Sequence, residues 1–573
     1  MFYGTKAIID TEDCTSLASC SDTDSDLSSN GNEIEEVEEL VSDGLDSELD
    51  SDSSDRMSDD DEGSDDVVTG RDNCTLWYNE PRRTRRIVRQ NVIRERAGVH
   101  GSLPTHSTSA TFSFFITDEM VELIVEAANQ RGTSLYGEDW KAVDNIEMMA
   151  WIGLHLRAGV DNDNFTPVDK LYSTKTGPPI YRACISRNRF KILKRCTRFD
   201  DILTREFRKA GEQGKLAPIH EVWQKFLEAC QVNYKASSCV TVDESLLSFR
   251  GRCSFKVYMP SKPSKYGIKV WSMVDSTNSY LLNAQIYTGK GPGGPEKHQA
   301  KRIVRDLTTV ILNSGRNVTC DNFFTDVDLA IELLSKNVTM IGTLRKNKRE
   351  IPSCFQASHS LERLSTKFGF SKEHHLMMCS YVPKVNNTVI LLSTMHYDNK
   401  VQESTPFKPD VILDYNATKG GVDTLDQLVK NYTCQRITNR WPMIIFYWMI
   451  DVAGYNSAVC FMEKQPHVYK GNQKRRNFLS DLSEELCKPQ IERRFLAERK
   501  KLPKHVVVCM EAFVNKPMEE LPQSQPPETR KRRCKKCPRK LDKKTRKSCV
   551  QCSEPICDAH SKVICDDCAE IPE

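Results

Sequence analysis

Three acidic segments, set far apart in the chain, carry residue types that could do chemistry. They are Val240-Thr-Val-Asp243-Glu-Ser-Leu-Leu, Asn317-Val-Thr-Cys-Asp321-Asn-Phe-Phe and Gly420-Gly-Val-Asp423-Thr-Leu-Asp426-Gln. Asp243 and Asp321 each end or interrupt a run rich in Val, Thr and Cys, the pattern of a buried strand. Asp423 follows a Gly-Gly pair at the start of a segment, 422–432, that reads as a helix. One Asp at a strand end is ordinarily a turn or cap residue. Several converging from different elements would repel one another unless a divalent cation neutralised them. Hard carboxylate oxygens suit Mg²⁺ or Mn²⁺. Two such ions, roughly 3.5–4 Å apart, can activate a water and stabilise the leaving oxygen in phosphodiester cleavage. The chemistry expected is metal-dependent cleavage or transfer of a nucleic-acid strand.

The elements that must position these acids follow from periodicity. Segments 117–130, 146–156, 186–196 and 219–234 repeat apolar residues at helical spacing, and Asp144 with Glu147 reads as a capping box. Within them, Arg187-Asn-Arg-Phe-Lys-Ile-Leu-Lys-Arg195 is either a solvated face or a DNA-facing one. Strands are predicted over 239–249, 266–275 and 280–287, then a helix over 296–312, a strand over 317–321, a helix over 326–335 and a strand over 339–344. That order is the order of a ribonuclease H-like, retroviral-integrase-type core. In it the first carboxylate falls on the first strand, the second just after the fourth strand, and the third on a late helix. Asp243, Asp321 and Asp423 occupy those slots. The Gly-Lys-Gly-Pro-Gly-Gly run at 289–294 lacks the Lys-Ser/Thr ending of a P-loop, which excludes that mode of nucleotide binding. The stretch between the fifth strand and Asp423 is too long for a loop and reads as an inserted β-rich module. Asp423 and Asp426, three residues apart, share one helical face. Gly420 and Gly421 allow a tight backbone approach before that helix. Pro442 then opens a long apolar helix. Its Asp451 and Asn456 favour a buried core helix over a membrane span.

Composition agrees. The 573 residues are enough for several domains. The net charge of +2 conceals an asymmetry. Residues 10–66 hold about two dozen Asp and Glu against the single Arg56, so the remainder is basic enough to bind a polyanion. The acidic stretch cannot bury enough apolar surface to fold. A basic block, Arg82-Arg-Thr-Arg-Arg86 with Arg89, Arg94 and Arg96, follows it. Of 22 Cys, seven crowd into the last 40 residues, and the scatter of the rest points to a reducing compartment without a disulfide framework. The N-terminus carries no signal-sequence pattern.

Longer strings carry a resemblance. Val242-Asp-Glu-Ser-Leu-Leu, Phe249-Arg-Gly-Arg252, Lys262-Pro-Ser-Lys-Tyr-Gly-Ile-Lys269, Thr319-Cys-Asp-Asn-Phe323, Gly342-Thr-Leu-Arg-Lys-Asn-Lys-Arg-Glu-Ile-Pro352, Tyr415-Asn-Ala-Thr-Lys-Gly-Gly-Val-Asp-Thr-Leu-Asp-Gln427 and Thr438-Asn-Arg-Trp-Pro442 resemble the piggyBac DNA transposases, insect-type members above all, from about residue 112 to the C-terminus. The resemblance implies a cut-and-paste transposase that recognises terminal inverted repeats, forms hairpins and inserts at TTAA. It maps the catalytic triad onto Asp243, Asp321 and Asp423, with Asp426 as a further metal-binding carboxylate. It sets Arg345 and Lys348 among DNA contacts needed for target joining. Among the other basic residues of these strings, Arg250, Arg252, Lys262, Lys265 and Arg440 are further candidate DNA contacts. Its partners would be double-stranded DNA and a second copy of the chain, with no membrane. The alternative is a domesticated descendant acting as a nuclear DNA-binding or chromatin-interaction protein.

At the C-terminus Cys534-x2-Cys537, Cys549-x2-Cys552, Cys557-x2-His560 and Cys565-x2-Cys568 give eight ligands in four pairs, enough for two tetrahedral Zn²⁺ sites. The gaps between pairs leave no room for an apolar core, so metal must hold the fold. The expected pairing is a cross-brace: Cys534, Cys537, Cys557 and His560 on one ion, Cys549, Cys552, Cys565 and Cys568 on the other, a layout that piggyBac members resemble. Such a module could be a protein-binding finger of the RING or PHD type. The basic flanks, Arg530-Lys-Arg-Arg533 and Lys543-Lys-Thr-Arg-Lys547 among them, favour DNA and also suit a nuclear import signal.

The domain reading is: 1–110, a disordered acidic tail and basic linker; 111–238, the first part of a helical dimerisation and DNA-binding domain; 239–347, the first part of the catalytic domain; 348–409, a β-rich insertion; 410–432, the catalytic helix with the third Asp; 433–510, the second part of the helical domain; 511–530, a linker; and 531–573, the Cys-rich DNA-binding module.

Overall fold

The computed structural model describes residues 67–81, 92–100, 103–290, 294, 296–357, 361–402, 407–514, 531–547 and 554–561. The chain divides into two compact units, residues 1–167 with 191–486, and residues 168–190 with 487–573.

The first unit is built on a mixed sheet, eleven-stranded among the described residues. In chain order its strands are β1 (Val67–Thr69), β2 (Leu76–Tyr78), β3 (Cys239–Ser248), β4 (Val257–Tyr258), β5 (Tyr266–Asp275), β6 (Leu281–Ile286), β7 (Asn317–Cys320), β8 (Thr339–Thr343), β9 (Thr366–Ser371), β10 (Leu376–Lys384) and β11 (Asn387–Ser393). Their lateral order is β1-β2-β9-β10-β11-β8-β7-β3-β5-β4, with β6 also on β5. β7 runs parallel to both neighbours, β3 and β8, and is buried at every residue. Such a central strand must be apolar or internally bonded on both faces. Thr319 meets this need by bonding the Thr418 hydroxyl at 2.7 Å.

Helices α1 (Asp118–Tyr136), α2 (Asn145–Val160) and α3 (His220–Asn233) precede the sheet in sequence. Asp144 caps α2, accepting from the Glu147 amide at 2.9 Å. Helices α4 (Gln299–Thr308) and α5 (Val327–Ser335) flank β7 in sequence, and α6 (Asp410–Thr418) leads into α7 (Gly421–Lys430). The long helix α8 (Trp441–Lys464) is almost wholly buried in the first unit. It contacts α2, α3, α7 and β3. Two of its buried polar residues bond inside the protein. Asn456 bonds both the amide and the carbonyl of Leu281, at 3.1 and 3.0 Å. Asp451 accepts from the Thr433 hydroxyl and the Cys434 amide at 2.6 and 2.8 Å.

Two expectations change. The reading of 1–110 as tail and linker fails at its end. Val67–Tyr78 forms a hairpin on the edge of the sheet, pairing Tyr78 with Phe370, because the fully buried Trp77 gives this stretch an apolar anchor. Residues 1–66 and the basic block 82–91 lie outside the described residues. The insertion expected over 348–409 is rich in strands, and apart from a short ribbon of its own, Val401–Gln402 with Lys408–Pro409, its described strands belong to the main sheet. Its hairpins join the main sheet through β11 on β8, burying Phe370, Met377 and Leu391 with Ile412 and Tyr415 of α6.

In the second unit, Arg494 donates to the carbonyls of Arg182 and Ala183 at 2.7 and 3.1 Å. A two-stranded ribbon, Arg532–Arg533 with Lys544–Thr545, begins the Cys-rich segment.

Candidate active site

Strand pairing sets the first two acids. On the parallel β3 and β7, Val242 lies opposite Cys320, so the next residues, Asp243 and Asp321, emerge side by side at the carboxyl end of the pair. Both are half-buried. Asp321 accepts from the amides of Phe323 and Phe324 at 2.9 and 3.3 Å, and Asp243 from the Glu244 amide at 2.7 Å. Burial first, then the neighbouring Glu244 charge, push Asp321 up to about 6, against the pull of those amides and of Arg345. Burial, then Asp321 and Glu244, and more weakly Asp423, push Asp243 well above the usual carboxylate range, with Lys262 opposing. The two strand-borne acids and the helix-borne Asp423 therefore feel one another.

Helix α7 brings the other pair. Ser245 stands two residues beyond Asp243, on the same face of β3. Its hydroxyl donates to Asp426 Oδ1 at 2.7 Å. Burial raises Asp426 to about 6, outweighing Ser245 and Lys262. Gly421 makes this docking possible: a methyl there would lie 2.5 Å from Thr241 Oγ1 and 2.9 Å from Val274 Cγ2, whereas one on Gly420 would meet nothing within 4 Å. The close approach expected of the Gly-Gly pair thus belongs to its second member.

Lys262 reaches into the group from a tight turn in which Lys265 takes φ +53° and its amide bonds the Lys262 carbonyl at 3.1 Å. The Lys262 ammonium lies 3.2 Å from Asp423 Oδ1. Burial pulls its pKa down, but the charges of Asp243, Asp423 and Glu244 outweigh burial and raise it. Lys262, named from the sequence as a candidate DNA contact, is in the structure a counter-charge to the acids. Glu244, ion-paired to Lys269 at 3.4 Å, and Ser245 were passed over. Ser245 could have been found from the two-residue strand repeat that puts it on the Asp243 face. Lys262 thus acts on Asp423 directly and on Asp243 and Asp426 through their charges, while among the described residues no three of these acids bring carboxylate oxygens within 4.8 Å of one another.

The other basic residues divide. Arg345 is exposed and lies over the Phe323 ring at 5.5 Å, beside Asp321. Lys348 is ion-paired to Asp326 at 2.5 Å, which also takes Lys301 at 2.6 Å. Arg250, Arg252 and Lys265 are exposed. Arg440 is half-buried, and its guanidinium donates to the carbonyls of Lys194 and Thr197, both at 2.7 Å. A helix end with unpaired carbonyls draws in such a fork of donors.

In the second unit, Cys534, Cys537, Cys557 and His560 offer ligand atoms within 4.8 Å of one another. His560 Nδ1 is 3.7, 3.5 and 3.3 Å from the three sulfurs in that order, and Cys537 and Cys557 Sγ are 3.6 Å apart. A tetrahedron with Zn–S of about 2.3 Å has edges of about 3.8 Å, so these residues fit a zinc ion. Cys549, Cys552, Cys565 and Cys568 lie outside the described residues.

The family model described as "Transposase IS4" matches residues 107–458. A cryo-EM structure of a piggyBac transposase synaptic complex with hairpin DNA superposes with a TM-score of 0.72 at 33% identity, covering 83% of this chain and all of that one. Human PiggyBac transposable element-derived protein 3 is 21% identical over 367 residues, 59% of this chain and 58% of the relative. The human chimeric ERCC6-PGBD3 protein matches equally over 33% of its length. Fold and sequence thus define a transposase by class. The chain belongs to the piggyBac family.

Proposed function

We propose that this chain is a cut-and-paste DNA transposase whose catalytic core is ribonuclease H-like. The core reading is supported by the lateral order β6-β5-β3-β7-β8, in which the third, second, first, fourth and fifth strands follow one another and the last two pairings are parallel. The observation that carries the catalytic reading is the registered pair Asp243 and Asp321, closed over by the acids of α7. Asp243, Asp321 and Asp423 hold Mg²⁺ or Mn²⁺, two per site, with Asp426 beside them. When bound, these ions supply Lewis acidity and a water of lowered pKa. The protein contributes rigidity: two acids on adjacent strands and two on a docked helix keep their oxygens in place before DNA arrives. Arg345, Lys348, Arg250, Arg252 and Lys265 bind DNA phosphates along the rim. Water nicks the transposon end, the freed 3′-hydroxyl attacks the opposite strand to give a hairpin, and after the hairpin opens the 3′-hydroxyl attacks TTAA. The hairpin DNA held in the similar structure's synaptic complex supports the hairpin step.

Two zinc ions fold the Cys-rich module, which reads the transposon end. The protein acts in the nucleus, imported through the basic run 530–533. It works as a dimer or higher assembly, since two ends must be cut together; only monomers on paired ends in sedimentation would contradict this. The alternative, a domesticated DNA-binding protein, is suggested by the transposable element-derived human relative. One experiment separates the two. The wild-type protein cleaves its element's end DNA in a magnesium-dependent reaction, and Asp243→Asn abolishes cleavage while end binding persists. Absence of wild-type cleavage favours the domesticated reading, and cleavage retained by Asp243→Asn rejects the triad.

A further inference from the structure

The segment between β8 and β9 begins with a basic loop, Arg345-Lys-Asn-Lys-Arg349, set beside Asp321. Its first anchor is the sheet, where the Leu344 amide bonds the Ile390 carbonyl at 2.8 Å. Beyond that point the loop is gripped from the N-terminal hairpin. Arg71, in the β1–β2 turn, donates from Nη2 to the carbonyls of Lys346 and Lys348 at 2.8 and 2.7 Å, and from Nε to that of Ile351 at 3.2 Å. The Asp72 amide bonds the Arg349 carbonyl at 2.9 Å, and the Trp77 indole bonds that of Glu350, also at 2.9 Å. A methyl on Gly70 would sit 2.8 Å from the Glu350 oxygen, so the turn lies flat against the loop. Five carbonyls of one basic loop are thus engaged by a hairpin some 270 residues earlier in the chain.

Charge balance does not account for Arg71. It adds a fifth positive charge beneath Arg345, Lys346, Lys348 and Arg349, where like charges repel. What it supplies is a planar fork that meets several carbonyls at once, a geometry lysine lacks. The turn itself is prepared for the task. Asp72 Oδ1 accepts from the amides of Cys74 and Thr75 at 3.1 and 3.0 Å. The backbone of 346–351 is thereby turned toward Arg71, while the side chains of Arg345, Lys346 and Arg349 stay exposed. We propose that Arg71 is a positioning residue for DNA binding: the N-terminal hairpin fixes the basic loop so that its side chains meet the phosphate backbone in a preset arrangement. The inference rests on the reading of this loop as a DNA contact.

The test uses the full chain, a fluorescein-labelled random-sequence duplex, and the variants Arg71→Ala, Arg71→Lys, Arg345→Ala and Arg71→Ala/Arg345→Ala. Arg71→Ala should weaken duplex binding about five- to tenfold, and Arg71→Lys, which keeps the charge but not the fork, should rescue less than half of that loss. In the Arg345→Ala background the Arg71→Ala loss should shrink to about twofold or less, since both act through one loop. Hydrogen exchange of amides 345–351 should quicken in Arg71→Ala and Arg71→Lys, with the amides of β3 and β7 unchanged. That localised change keeps the test decisive even where one variant is less stable. If Arg345→Ala weakens binding but Arg71→Ala does not, or if the two losses simply add, the positioning role is wrong and the loop reading stands. If Arg345→Ala has no effect, both fall together.

Discussion

At the scale of single residues, the site is a concentration of like charge that the fold holds in place. Asp321 and Asp426 both sit near 6, above the ordinary 3.8, because burial disfavours their charged forms. The folded state therefore binds these two protons more tightly than the unfolded chain does. Their contribution to stability is full below about 3.8 and is lost as pH rises through about 6. Metal-free protein should melt at a lower temperature near pH 7 than near pH 5, and added Mn²⁺ should restore the loss at the higher pH. Asp426→Asn keeps an acceptor for Ser245 but removes one titrating group, so its melting temperature should depend less on pH over this window. Calorimetry across the window decides the matter: a slope of opposite sign, or one that Asp426→Asn leaves untouched, would remove the acid cluster as its source. The same reasoning assigns Lys262 its place, as the ammonium that tempers the repulsion among Asp243, Asp423 and Glu244.

At the scale of elements, the decisive contact is between α7 and the strands β3 and β5, where Gly421 faces Thr241 and Val274. Gly421→Ala forces the helix outward and should destabilise the first unit by about 1–3 kcal/mol, the usual cost of overpacking. It should also reduce cleavage by displacing Asp423 and Asp426. Gly420→Ala adds a methyl into open space at φ −83° and should leave both stability and cleavage nearly unchanged. Equal effects of the two variants in denaturant melts would refute the close-approach argument. This helix and the strands bearing Asp243 and Asp321 were legible in the sequence because alternation, helical spacing and glycine placement are local signals. Two features were not. Nothing local in Val67–Tyr78 marks it as an edge hairpin; only Trp77 hints at a core, and the partner strand, β9, lies some 290 residues away. Arg440 sits in the string Thr438-Asn-Arg-Trp-Pro442, and its bonds to the carbonyls of Lys194 and Thr197 involve a helix end that the sequence does not bring near it. Signals carried by contacts far apart in the chain stay hidden until the fold is closed.

At the scale of the whole molecule, the two units rely on different physics. The first is held by a large apolar core, including the buried α8 and the sheet. Among its described residues, the Cys-rich segment of the second has a short two-stranded ribbon and a cluster of three buried cysteines that with His560 has the spacing of a zinc site, and an ion bound there would supply stability. Cys549 and Cys552 fall in sequence between Cys537 and Cys557, which already share a site, so a second ion on the remaining four ligands would interleave with the first. Three outcomes follow for the intact chain. Purified protein should carry two zinc ions. Cys557→Ser should release about one ion directly and loosen the second, because an interleaved fold cannot keep half its ligands in place. A zinc chelator should abolish sequence-specific binding of the transposon end while the main calorimetric transition of the first unit stays where it was. Metal analysis, end-binding assays and calorimetry on the same preparations test all three. A chelated protein that still recognises the end would take zinc out of recognition. A Cys557→Ser protein that keeps one ion at full affinity would replace the interleaved arrangement with two independent sites.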